Sequence, residues 1–311
     1  MRWLACLFLV AACAEFNRPI YPEVTSIAIS DPLEVTRILA ADDMEGRETG
    51  TAGNNKARAW LLDQMRARPF DMIGEDFQHD FEFVRDGKST IGVNIVGRIP
   101  GSSDERGPVM VVTAHYDHVG VIDGEIYNGA DDNASGVAGA LAIADHFFAN
   151  PPKNDVVIAL LDAEEKGLLG AVAFLRDEVV TVSDIALNIN LDMISKNDKR
   201  ELYVAGGYHT PVLQPLLDQL ADTAPVTLKQ GHDSPDLGVD DWTLQSDHAL
   251  FHKAGIPFLY FGVEDHPDYH QPTDDYETIP EAFFRDSVET VVMAAEELDS
   301  NLQDIGASKA R

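Results

Sequence analysis

Five short runs rich in β-branched and other apolar residues constrain this chain most: residues 90–98 (TIGVNIVGR), 109–114 (VMVVTA), 156–161 (VVIALL), 185–191 (IALNINL) and 256–261 (IPFLYF). Several are apolar at consecutive positions, so a strand made from them has no face to offer water and must be covered on both sides. Segments of helical length separate and follow them, at 134–148, 167–178, 211–221, 247–253 and 281–298. A further helical pattern fills 31–65; Asp31 and Pro32 start it, the loop MEGRETGTAG breaks it, and it resumes after Thr51-Ala-Gly. Strands without clean alternation, separated by helices, predict an α/β fold: a single domain with a central, mainly parallel (mixed) β-sheet flanked by helices. A charged linker at 101–107 (GSSDERG) and a hairpin turn at 84–88 are the plainest loops, and no internal repeat is visible.

At 311 residues the chain buries roughly 75% of its unfolded surface. It therefore needs no disulfide staples, and it has none to use. Its two cysteines, Cys6 and Cys13, both lie in the apolar N-terminal stretch, which excludes cysteine-protease chemistry and Cys-rich zinc sites. With 53 acidic against 23 basic residues the formal charge is −30, which repels nucleic acid and anionic membrane surfaces and argues against both as partners. Residues 1–14 (MRWLACLFLVAACA) combine one arginine, a short apolar run and small residues, the pattern of an export signal. Two readings stand: Val10-Ala-Ala-Cys13 resembles a lipobox, making Cys13 a lipid anchor and the sole membrane contact, or cleavage follows Ala14. Either way residues 15–311 form the working domain, exported to the cell envelope or secreted.

In an open α/β sheet, ligands bind beyond the carboxyl ends of the strands, so the residues that follow each run carry the functional information. VMVVTA is followed by His115-Tyr116-Asp117-His118; period-two geometry points His115 and Asp117 the same way, so the Asp117 carboxylate can hold one ring nitrogen while the other binds metal. A structural histidine is the plainer alternative. Next comes NGADDNASG at 128–136, where capping of the following helix explains one of Asp131 and Asp132 but not both. After VVIALL, Asp162-Ala-Glu164-Glu165 either favours a helix dipole or divides two roles, one carboxylate binding metal and one moving protons. Asp192 ends the run at 185–191, and a buried unpaired carboxylate is costly; His270 lies in YHQPTDD. Histidines and carboxylates at successive strand ends, without cysteine, point to a hydrolytic zinc centre.

The segments AHYDH, NGADDNASG, DAEEKGLLGA, NLDMIS, SDHALFHKAGIP and YHQPTDD, in that order, resemble the M28 family of dizinc exopeptidases, and MEGRETGTAG resembles a segment many bacterial members carry upstream. The resemblance runs from about Leu39 to Thr278. It implies a zinc-exopeptidase-like fold and an aminopeptidase acting on peptide substrates with two Zn2+ per chain. It also implies Asp132 as the bridging carboxylate, His115 and Asp192 on one zinc, Glu165 and His270 on the other, and Glu164 as general base. No tyrosine precedes the SDH motif, where some relatives have one, so no oxyanion donor is assigned. Ser246, Asp247 and His248 either line the substrate pocket or cap the next helix.

Two rivals remain. A glutaminyl cyclase-like enzyme shares this fold but uses one zinc, and a non-catalytic envelope binding module would lack ligands that are all present here. A serine hydrolase needs a G-x-S-x-G elbow and a P-loop needs a glycine at position 82, which is Glu82; neither is found, nor is H-E-x-x-H.

Overall fold

A computed structural model describes residues 28–85, 87–103 and 107–309. The expected export segment, with Cys6 and Cys13, lies outside the described residues, as does the middle of the 101–107 linker. The helices are α1 (Pro32–Leu39), α2 (Ala52–Arg66), α3 (Gly136–Ala149), α4 (Leu169–Arg176), α5 (Gln214–Thr223), α6 (His248–Lys253), α7 (Glu281–Ser300) and α8 (Leu302–Ala307). The strands are β1 (Asp71–Met72), β2 (Gln78–Arg85), β3 (Lys88–Ile99), β4 (Val109–His115), β5 (Gly120–Ile122), β6 (Glu125–Tyr127), β7 (Asp155–Leu161), β8 (Ile185–Leu191), β9 (Glu201–Ala205), β10 (Thr227–Gln230) and β11 (Phe258–Gly262).

Local signals act where they are read. Asp31 accepts the Leu33 N–H at 3.1 Å with Pro32 in the first turn, and the Thr51 hydroxyl accepts from Asn54 N at 3.3 Å to start α2. β2 ends at Arg85 and β3 begins at Lys88, the hairpin expected there.

Nine strands form one sheet in the order β1-β3-β7-β4-β8-β11-β9-β10, with β2 paired to β3. The centre, β7-β4-β8-β11, is parallel throughout. On either flank β3 and β9 join antiparallel, so the sheet is mixed. Of the strands the sequence did not announce, β2, β9 and β10 lie at these flanks, where one face or a few residues suffice, and β5 and β6 pair in a small sheet of their own. Within the centre the side chains divide cleanly. Met110, Val112, Ile158, Leu160, Leu187 and Ile189 pack toward α1, α2, α3 and α7, while Val109, Val111, Val157, Leu161 and Ile185 pack toward Phe174 of α4 and Phe251 of α6. Each such fully buried branched side chain stabilises by about 1.5–3 kcal/mol, which holds the central strands rigid.

Register then fixes the site. His115 at the end of β4 pairs opposite Leu161 of β7, and Thr113 pairs opposite Asn190 of β8, so two residues further on His115 stands beside Asp192. Phe284, fully buried on α7, belongs to the larger core cluster. Phe284→Ala is expected to cost about 3–5 kcal/mol in urea denaturation; a loss below about 1 kcal/mol would contradict this packing.

Candidate metal centre

Two groups of donor atoms meet at the carboxyl end of the central strands and share one residue. The first is His115, Asp132 and Asp192; the second is His118, Asp132, Glu165 and His270. His115 Nε2 lies 3.4 Å from Asp132 Oδ1 and 3.3 Å from Asp192 Oδ1. His270 Nε2 lies 3.0 Å from Asp132 Oδ2 and 3.3 Å from Glu165 Oε1. Donors at about 2.0–2.1 Å around one tetrahedral zinc stand about 3.3 Å apart, so both groups have the spacing of a metal shell. The two oxygens of Asp132 face different groups, the geometry a bridging carboxylate needs.

All five residues expected as ligands are thus brought together. Asp131, the neighbour passed over, turns away: its carboxylate accepts from Ser195 N and Oγ, both at 2.7 Å, and meets His266 Nε2 at 3.0 Å. Asp274 accepts from the backbone N–H groups of Asp131 and Asp132 at 3.0 and 3.1 Å, fixing the loop that delivers Asp132. His118 was not singled out as a donor by sequence reasoning. It sits past the strand end, where period-two alternation no longer says which way a side chain points; the only signal was a second histidine three residues after the first.

The structure corrects the role expected of Asp117. His115 Nδ1–H donates to the Asp117 backbone carbonyl at 3.1 Å, whereas the carboxylate is 3.8 Å away. A carbonyl only accepts, so this bond puts the proton on Nδ1 and leaves Nε2 free to ligate. The Asp117 carboxylate instead accepts from Glu164 N at 3.0 Å and Glu165 N at 3.3 Å. It shapes the turn that presents both glutamates.

Ser246, Asp247 and His248 are buried, and Asp247 makes no side-chain cap of α6. The helix-cap reading is therefore not met at Asp247, whose carboxylate lies near His115, Asp192 and Glu164 instead. Ser246 ends a directed chain of hydrogen bonds: Asn188 Nδ2 donates to Thr113 Oγ1 (3.0 Å), Thr113 to Asn190 Oδ1 (2.6 Å) and Asn190 Nδ2 to Ser246 Oγ (2.9 Å), and the Ser246 hydroxyl helps hold the Asp192 carboxylate low. This accounts for the two asparagines in an otherwise apolar strand.

The segment MEGRETGTAG contributes the frame. Arg47 is fully buried and donates to the carbonyls of Leu39 (2.7 Å), Tyr116 (2.8 Å), Asn128 (2.6 Å) and Gly129 (2.9 Å). Burial lowers its pKa to about 10, still charged at neutral pH, close to Asp132, Asp274, Asp117 and Glu165. Thr49 and Asn54 donate to Asp162 Oδ1 at 2.8 and 3.1 Å.

The two adjacent glutamates are driven apart electrostatically. Burial, with Asp247 and Asp192 nearby, pushes Glu164 well above the ordinary carboxylate range. Burial acts the same way on Glu165, but hydrogen bonds from His118 and His270 overcome it and hold that carboxylate low. Such a divided pair suits one proton carrier and one ligand. Tyr269 stacks on His270 with ring centroids 4.1 Å apart; burial and the carboxylates of Asp132, Asp192 and Glu165 push its phenol up, so it keeps its proton.

Comparison with known proteins follows the same lines. Residues 94–295 match the family model described as peptidase family M28. Aminopeptidase YwaD of Bacillus subtilis is 30% identical over 217 residues, 66% of this chain and 44% of that protein. The structure titled BSAP, a zinc aminopeptidase from Bacillus subtilis, superposes with a TM-score of 0.55 at 26% identity, covering 67% of this chain and 51% of that one. A Bacteroides thetaiotaomicron glutaminyl cyclase reaches a TM-score of 0.68 at 18% identity, covering 87% of this chain and 98% of that one, a likeness of fold. The chain spans less than half the length of the curated relatives it matches.

Two substitutions test the frame. Arg47→Met removes the donor from four buried carbonyls, of which that of Gly129 keeps the Ala134 N–H at 3.3 Å, and should cost more than about 3 kcal/mol in denaturant unfolding, since each lost partner costs about 1–3 kcal/mol. Ser246→Ala should weaken divalent-metal affinity roughly 10–100-fold in a chelator competition while leaving the fold intact; unchanged affinity would remove Ser246 from its orienting role.

Proposed function

Because the chain belongs to peptidase family M28, we propose that it is a zinc-dependent aminopeptidase that removes N-terminal residues from peptides. One observation carries this reading: two donor groups with tetrahedral spacing share the two oxygens of Asp132. His115, Asp132 and Asp192 would hold one zinc, and Asp132, Glu165 and His270 the other. A zinc pair there supplies a water of pKa near about 7 and Lewis-acid polarisation of the scissile carbonyl.

The rest falls to the protein's own groups. Glu164, held above the usual carboxylate range, takes the proton of the attacking water and returns it to the leaving amine. Asp117 keeps Glu164 and Glu165 in place through their backbone N–H groups. Tyr269, stacked on His270 and kept protonated, would offer its O–H to the developing oxyanion. An acidic site on a chain of net charge −30 favours substrates with a free α-ammonium group, which supports removal of terminal residues over internal cleavage. The donor set exceeds what a single-zinc cyclase needs, which supports hydrolysis over glutaminyl cyclisation. The apolar segment 1–14 supports export, and among the described residues no helix is long and apolar enough to cross a membrane.

A panel of aminoacyl and dipeptide substrates, with an N-terminal glutamine peptide beside them, should show hydrolysis that a chelator abolishes and zinc restores. Glu164→Ala should lower kcat by about 10²–10⁴ with zinc content unchanged near two per chain. Full turnover in that variant would remove Glu164 as base, and cyclisation without hydrolysis would overturn the aminopeptidase reading.

A further inference from the structure

We infer that His118 Nδ1 is a fourth protein donor to the metal position of His270, closing that position while the position of His115 stays open. This deepens the metal-pair reading above and rests on it. His270, Asp132 and Glu165 supply three vertices of a tetrahedron. His118 Nδ1 lies 2.9 Å from Glu165 Oε1 and 3.7 Å from Asp132 Oδ2, bracketing the edge of about 3.3 Å that a zinc shell requires. All four donor atoms lie within 4.8 Å of one another.

Burial says the same. His118 is fully buried, and its Nε2 has no hydrogen-bond partner among the described residues. Every polar interaction that offsets the ring's desolvation must therefore pass through Nδ1, and a cation offsets more than one hydrogen bond to Glu165 does. The ring is also held for the purpose. It stands edge-on to the His270 ring, centroids 5.6 Å apart at 62°, and it fills the space beside Gly129, whose φ is +56° and whose missing Cβ would collide with the His118 ring and the Asp132 carbonyl. The other group offers three donors, His115, Asp132 and Asp192, and so keeps a vertex free for water or substrate. Closed shells hold metal; open ones work.

The test titrates chelator-stripped protein with zinc against a chromophoric chelator, comparing wild type, His118→Asn and Asp192→Asn. Asparagine at 118 still offers an N–H to Glu165 but not the imidazole nitrogen. Wild type should take up two zinc ions in two separable steps. His118→Asn should weaken the tighter step by at least the roughly 10–100-fold that losing even an outer-shell partner costs, and Asp192→Asn should weaken the other. X-ray absorption of wild type carrying one zinc should show two imidazoles on the metal, a readout that does not depend on how any variant folds. One imidazole there, or a tight step indifferent to His118→Asn, overturns the inference and leaves the metal pair standing. A wild type that takes up no zinc overturns the metal-pair reading itself.

Discussion

The structure is organised around a cluster of carboxylates that could not be gathered without opposite charge. Asp117, Asp132, Asp162, Asp192 and Asp247 are buried at one end of the sheet, with Glu164 and Glu165 beside them. Two like charges about 4 Å apart at an effective dielectric of about 20 repel by roughly 4 kcal/mol, so several together would force the strand ends open. The chain sorts them. Glu165 and Asp192, hydrogen-bonded to imidazoles, are held low against the opposing effect of burial; Asp117, Glu164 and Asp247, which have the charge of His115 nearby but no hydrogen bond from a ring, are pushed up by burial, Asp247 to about 7. That sorting separates metal-binding groups from proton-holding ones before any ion is considered.

Among the described residues Arg47 is the one buried guanidinium at this end of the sheet, and it hydrogen-bonds carbonyls rather than carboxylates. It ties the end of α1, the turn after β4 and the loop before Asp132 to one planar group, while its charge offsets the acids from behind. The segment that carries it lies far upstream of every ligand, which explains why MEGRETGTAG belongs with the site although it supplies no donor.

Much of this was legible in the sequence for a physical reason. His115 and Asp192 follow buried strands directly, and a parallel sheet puts such positions at one edge; Asp132, Glu165 and His270 come from loops whose composition repeats a known pattern. What escaped lies where periodicity stops. His118 and the Asp117 carbonyl belong to a turn, so neither the histidine's direction nor the exchange of carboxylate for carbonyl followed from alternation. Ser246 was visible as part of a motif, but its position behind Asp192 depends on a partner, Asn190, 56 residues away. The flanking strands β2, β9 and β10 bury too little to announce themselves.

The two donor groups, proposed as metal positions, inherit different mechanics from the fold. His115 and Asp192 stand at the ends of adjacent central strands, and a chain of hydrogen bonds through the core ends at Ser246, whose hydroxyl helps hold Asp192 low, so three donors would suffice for a defined shell. Glu165, His270 and His118 all come from turns and loops, where each donor costs more conformational entropy to order and errs more in position. A fourth donor on that side restores the rigidity the strands give for nothing on the other. The position proposed as open then falls where the scaffold is stiffest, near Glu164, so the residue proposed to move protons would stand close to the vertex left for water.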